Sequence, residues 1–216
     1  PLPDPGLSVF FLNDTLGWAV TTGGIYRSEE GGRSWRKLPK SPRGTLRVWF
    51  VSPEHGFAVG LRKSVHQTLD GGKSWQPLPA AAEIKTAAEH TAFHFITFTG
   101  QVGYICGAHQ PPRRDESELP DWLEPEKAVR RKEWPTTAIL LATEDGGKSW
   151  KPSTSSIFGQ ITRLRQSRDG RAISLVEYRH SFQYPSEVYA IDRGTSGSRS
   201  VYKAKDRAVT DALLIP

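Results

Sequence analysis

The 216-residue chain contains no methionine and a single cysteine, Cys106. One thiol excludes an intramolecular disulfide and leaves the redox compartment open. No run approaches the roughly 18 apolar residues of a membrane-spanning helix, and no secretory signal opens the chain. With no initiator methionine, the expectation is a mature or excised piece whose targeting segment is gone. Glycine pairs are present, but three of the four (Gly31-Gly32, Gly71-Gly72 and Gly146-Gly147) follow an acid, and none precedes a helix, so no phosphate loop or nucleotide fingerprint is indicated. The net charge of +6 favours acidic partners. No Lys/Arg run, however, has the density of a nucleic-acid patch.

What the sequence does have is a repeat. Ser28-Glu-Glu-Gly-Gly-Arg-Ser-Trp35, Thr68-Leu-Asp-Gly-Gly-Lys-Ser-Trp75 and Thr143-Glu-Asp-Gly-Gly-Lys-Ser-Trp150 are three copies of one phrase. In each, a hydroxyl (Ser28, Thr68, Thr143) stands two residues before an acid (Glu30, Asp70, Asp145), and both side-chain types bond the amides of a tight turn. The glycines, among them Gly32, Gly72 and Gly147, supply the positive φ of a hairpin. The Trp anchors the strand that follows. Upstream, each copy is preceded by an apolar stretch and then by Gly17-Trp-Ala-Val, Gly56-Phe-Ala-Val or Gly103-Tyr-Ile-Cys.

Four strands per unit follow from this order. Trp35 and Trp75 are 40 residues apart, the length of one four-stranded propeller blade. Trp75 and Trp150 are 75 apart, which places an insertion in the third unit. The expected fold is therefore an all-β propeller of antiparallel four-stranded blades. Blades are expected at about 7–39, 45–79, 92–152 with an insertion at 110–135, and 159–203, and residues 207–216 begin a further blade. The fourth unit keeps an acid and glycines in Asp192-Arg-Gly-Thr-Ser-Gly but lacks the Trp. Propellers typically have about four to eight blades. The expectation is part of a larger, roughly six- to eight-bladed propeller, completed by residues beyond this piece or by another copy. A closed small propeller is the competing reading. Open blade edges would invite self-association.

The pattern Ser/Thr-x-Asp-Gly-Gly-x-Ser-Trp resembles the Asp-box (BNR) repeat. The Gly-aromatic strand ahead of it is most similar to the photosystem II assembly and stability factor type of Asp-box propeller. The resemblance spans about residues 7–203, strongly through 152, and Glu30 departs from the usual Asp. In that group the box is structural, so the resemblance implies fold rather than activity. It also implies a binding or assembly role and an extracytoplasmic (periplasmic or secreted) location. Sialidases and xyloglucan-acting glycoside hydrolases share the box, which makes a glycosidase the rival reading and carbohydrate the rival ligand.

Extra residues are concentrated at one end of the expected blades. The 110–135 insertion and the 179–186 loop both join second and third strands, opposite the acidic turns, and long irregular loops on a rigid scaffold carry binding function. The candidate binding residues are Arg113, Arg114, Trp122, Arg130, Arg131 and Trp134 in the insertion, with Arg179 and Tyr184 in the second loop. A short helix is expected over 125–133, starting at Pro125. A protein partner is expected, acidic in character.

No catalytic residues and no cofactor are assigned. Arg43, Arg62, Arg163, Arg165, Arg179, Glu177, Tyr178 and Tyr184 could furnish pieces of a sialidase site, but nothing sets their geometry, and surface arginines are the simpler reading. The acids Glu30, Asp70 and Asp145 should be occupied by their own turns. His90, His94, Cys106 and His109 use zinc vocabulary. In a strand, however, residues four apart stand about 13 Å from each other, and no metal site is expected.

Overall fold

The computed structural model describes residues 2–111, 135–178, 184–192 and 197–215. Residues 112–134 of the predicted insertion, with the 125–133 helix, and Arg179 lie outside these. Among the described residues, sixteen strands form four sheets of four, each an antiparallel meander. Blade one holds β1 (Gly6–Phe11), β2 (Gly17–Thr21), β3 (Gly24–Ser28) and β4 (Arg36–Lys37); blade two holds β5 (Thr45–Phe50), β6 (Gly56–Gly60), β7 (Val65–Thr68) and β8 (Gln76–Pro77). A four-residue helix, α1 (Pro79–Ala82), and a short helical turn at Ala88–His90 lead into blade three: β9 (Thr91–Thr99), β10 (Val102–His109), β11 (Thr136–Thr143) and β12 (Lys151–Ile157). Blade four comprises β13 (Gly159–Gln166), β14 (Ala172–Tyr178), β15 (Ser186–Ile191) and β16 (Ser198–Lys203). The first strands β1, β5, β9 and β13 neighbour one another in that order, as the blades of a propeller do around their axis.

Strand register explains the Gly-aromatic signature. Phe11 pairs with Gly17, Phe50 with Gly56 and Phe98 with Gly103. A Cβ on those glycines would lie 2.5, 2.5 and 2.3 Å from the facing ring, so the aromatic and the bare backbone require each other. In blade four the equivalent pair is Gln166 with Ala172. Without the ring, the methyl is accommodated.

Blades stack face to face, and the core lies between them. Leu16, Trp18, Val20, Ile25 and Leu38 of blade one close on Val48, Phe50 and Ala58 of blade two. Phe57, Val59, Val65 and Leu78 of blade two close on Ile96, Phe98, Ile105, Leu141 and Trp150 of blade three. Val102, Tyr104 and Cys106 of blade three meet Leu164, Ala172 and Ile191 of blade four. The outward face of blade one breaks the series. Val9 and Phe11, at the positions of Val48 and Phe50, are 61% and 41% exposed, whereas Val48 and Phe50 are 4% and 1% exposed.

Residues 207–215 form no strand. They lie on the far face of blade four, where Val209, Ala212 and Leu214 cover Ile173, Leu175 and Val188. The amide of Val209 donates to Ser186 Oγ at 2.7 Å, and Arg165 pairs with Asp211 at 2.8 Å. The segment thus occupies the side where a next blade's first strand would sit. A strand needs backbone hydrogen bonds to a neighbouring strand, and here the segment is held by side-chain packing and by bonds to the side chains of Ser186, Arg165 and Arg171.

Candidate functional site

The two ends of the blades differ in chemistry. At one end lie the acidic turns. Thr68 Oγ1 accepts from the Gly72 amide and Thr143 Oγ1 from the Gly147 amide, both at 2.9 Å. Asp70 Oδ1 accepts from the Ser74 amide at 2.9 Å, and its Oδ2 from the Ser74 hydroxyl at 2.5 Å. Asp145 repeats both bonds with Ser149. The Ser74 hydroxyl and amide hold the Asp70 carboxyl down at about 2, and Ser149 holds Asp145 well below the usual carboxylate range. The indoles of Trp75 and Trp150 donate to Gly72 O and Gly147 O at 3.1 Å. In the first turn, Ser28 Oγ takes the Gly32 amide at 2.9 Å, and Glu30 accepts from the Ser34 hydroxyl at 2.6 Å. These carboxylates face their own donors.

At the opposite end, a cleft of about 320 Å³ opens where blades two, three and four meet; Arg62, His90, His94, Phe95, Gln110 and Gln160 are among the residues lining it. Its wall is set by a two-residue hairpin turn. Arg62 and Lys63 both adopt left-handed φ, 58° and 59°, in a type of turn that normally uses Asn-Gly. The Ser64 amide donates to Leu61 O at 3.2 Å, the Lys63 amide to Thr91 O at 2.8 Å, and Lys63 Nζ to Ile84 O. Leu61 bridges to Ala92. The loop is thereby fastened to the first strand of blade three, and exposed Arg62 stands at the cleft mouth.

Other groups in the cleft are equally tied. Arg47 Nε donates to His94 O at 2.7 Å, and its guanidinium lies 5.6 Å from the Phe95 ring centre. Burial, and then the Arg47 charge, push the His94 imidazole below its usual range. The Gln110 amide donates to His90 O at 2.8 Å, and Thr91 Oγ1 meets His109 Nδ1 at 3.1 Å. Since β10 ends at His109 and β11 begins at Thr136, the predicted insertion leaves and rejoins the fold at this rim.

Of the predicted binding residues, Arg113, Arg114, Trp122, Arg130, Arg131, Trp134 and Arg179 are outside the described residues. Tyr184 lies in the β14–β15 connection with its ring 4.7 Å from Lys203 Nζ, away from the cleft. Of the sialidase pieces, Arg62 lines the cleft, whereas Arg165 pairs with Asp211 and Tyr178 bonds Glu187 and Tyr189. Burial and the bond to Glu187 push the Tyr178 phenol up. Of the zinc candidates, Cys106 is buried between blades three and four. Among the described residues, no three His, Cys, Asp or Glu side chains could hold a metal together. Sequence reasoning treated Arg62 as an ordinary surface arginine. The available signal was Arg-Lys standing where the spacing between Val59-Gly60 and Ser64-Val65 leaves room only for a tight turn.

Comparison with known proteins agrees with the fold. A family described as photosynthesis system II assembly factor YCF48 matches residues 42–112, about a third of the chain. No curated protein matches the chain. The structure of YCF48 bound to D1 peptide superposes on all of the chain at 17% identity and a TM-score of 0.62, and YCF48 from Cyanidioschyzon merolae on 99% at 17% and 0.53. The chain spans 59% and 61% of those two proteins. The GH74 xyloglucanase from Xanthomonas campestris covers 87% of the chain at 13% identity and 0.55, the chain spanning 28% of it. At such identities the likeness is one of fold. With the three acidic turns and four stacked blades, it establishes the chain as a BNR-type β-propeller resembling the photosystem II assembly factor.

Proposed function

We propose that the chain is a non-enzymatic scaffold that binds a protein partner, acidic in character, through the propeller end from which residues 110–135 depart. The observation carrying this reading is Arg62, an exposed guanidinium in a left-handed turn at the mouth of a cleft, fastened by backbone bonds to the next blade. Backbone strain of this kind persists where the surroundings over-determine it, and it clusters at binding sites. A pre-positioned guanidinium suits a carboxylate, which it can bind bidentately. The likeness to YCF48 bound to D1 peptide lends support, as a propeller of similar fold that holds a peptide.

A glycosidase requires two carboxylates roughly 5–9.5 Å apart. Among the described residues lining the cleft, Glu89 is the sole carboxylate. Tyr178, with its proton held more tightly than usual, is poorly suited to act as a nucleophile.

Calorimetric titration with D1 peptide, and with an acidic peptide of equal length, tests the proposal. Arg62→Glu, and replacement of residues 112–133 by a short Gly/Ser link, should each weaken binding at least tenfold. Unchanged affinity in both variants overturns the reading. So does hydrolysis of sialosides or β-glucans that Glu89→Gln abolishes.

A further inference from the structure

The interface between blades three and four differs from the two before it at two packing positions, one on each blade, and both changes open the same space. Between blades one and two, and again between two and three, the slot near the outer strands is filled from both sides. One side gives Leu38 or Leu78, each following its outer strand and bonded through its amide to Ile25 O or Val65 O at 2.8 Å. The other gives the Trp after the acidic turn: Trp75 edge-on to Phe50 at 6.1 Å, and Trp150 edge-on to Phe57 at 5.4 Å. Between blades three and four, register places Ser153, opposite Leu140, where Leu38 and Leu78 stand. Ser198, opposite Ile191, takes the place of the Trp. A leucine and an indole have both become serine.

The result is a cleft of about 380 Å³ between the two sheets. Cys106 and Leu140 of blade three and Val176 and Ile191 of blade four give it apolar walls, while Ser155, Ser174 and Ser198 line it with hydroxyls. An apolar cavity of about 150 Å³ holds benzene, so a two-ring aromatic fits this one.

We propose that the cleft between blades three and four is a binding site for an indole ring supplied from outside the chain. The occupant is identified by the repeat itself, since the two equivalent slots each hold the chain's own indole. In both of those, the ring N–H donates to an oxygen of the acidic turn. Here, serine hydroxyls surround the ring's edge instead. The site lies along the outer strands and shares only Ile161 with the cleft lined by Arg62. It therefore stands or falls independently of the partner-binding proposal and is tested without any partner.

The 216-residue chain, labelled with nitrogen-15, is titrated separately with indole and with N-acetyl-L-tryptophanamide while amide shifts are followed. Saturable shifts at Ser174, Ile191 and Ser198 are expected. Response to both probes assigns the slot to a tryptophan side chain; response to indole alone assigns it to the free ring. Ser198→Trp should weaken indole binding at least tenfold by filling the slot, and Ser198→Ala should leave it within twofold. Ser153→Leu restores the side chain found in blades one and two; it is the milder variant should Ser198→Trp fail to fold, and it should weaken binding at least threefold. Absence of saturable shifts at these amides overturns the proposal. Undiminished indole binding by a folded Ser198→Trp or Ser153→Leu protein also overturns it.

Discussion

The indole of Trp18 lies flat on the ring of Phe50, with centroids 3.5 Å apart and planes within 7°. This pair spans the first blade interface, and both rings are essentially inaccessible to solvent. Phe50→Ala should therefore cost about 3–5 kcal/mol, the usual range for deleting a buried aromatic. Phe11→Ala, at the same position of blade one but on an open face, should cost less than about 2 kcal/mol. Urea unfolding with the slope unchanged between variants checks both, and equal losses would contradict the packing described.

The acidic turns make stability depend on pH in a defined window. Folded Asp70 is held at about 2 by Ser74, below the ordinary aspartate value near 3.9. Its contribution is complete above pH 4 and disappears as pH falls through about 2; Asp145, lowered in the same way, adds to it. Both carboxylates are well hydrated, so each should contribute about 1 kcal/mol after screening. Asp70→Asn should be less stable than the parent at pH 7, with the gap closing towards pH 2. A gap that stays constant in urea midpoints across that range would refute this.

Adjacent glycines in one turn should respond unequally. Gly147 has φ +88°, and a Cβ there would sit 2.3 Å from Phe57 Cζ, a buried ring of the neighbouring blade. Gly146 has φ +74°, but its Cβ would meet the flexible end of Gln101. Gly147→Ala combines left-handed strain with overpacking and should cost about 2–4 kcal/mol, against about 1–2 for Gly146→Ala. Thermal unfolding of the pair decides the order.

Residues 207–215 act as a cover for blade four. Their removal uncovers Ile173, Leu175 and Val188 and breaks the Arg165–Asp211 pair. The loss should be about 2–4 kcal/mol, roughly 5–10 °C in a domain of this size. Calorimetry on the shortened chain, with light scattering to register association, provides the measurement.

Much of this architecture is legible in the residues because its signals are local. The Gly56-Phe-Ala-Val strand, the Thr68 to Trp75 turn and their 40-residue recurrence each lie within one short window. Features that depend on register between distant segments are not. Glu187 is buried and accepts bonds from Tyr178, Tyr189 and Ser200, a cluster gathered from three strands of which only Tyr178 was singled out in advance. The missing Trp of blade four is visible in sequence, but its consequence is not. Only pairing opposite Leu140 reveals that Ser153 has replaced a leucine at the same spot. Residues 207–215 have the composition of a first strand, and their lack of one follows from the absence of a pairing neighbour. The Arg62 turn was hidden because its residue types contradict the chemistry usual for its shape.

Repeat arrays commonly close their ends with units whose outer side is hydrophilic. On the outward face of blade one in these 216 residues, Leu7, Val9 and Phe11 present to water the pattern that later blades hide. The colloidal behaviour of the chain should accordingly be governed by this end, and charge placed at Val9 should improve solubility at little cost to folding. The far face of blade four, covered by residues 207–215, should tolerate concentration far better.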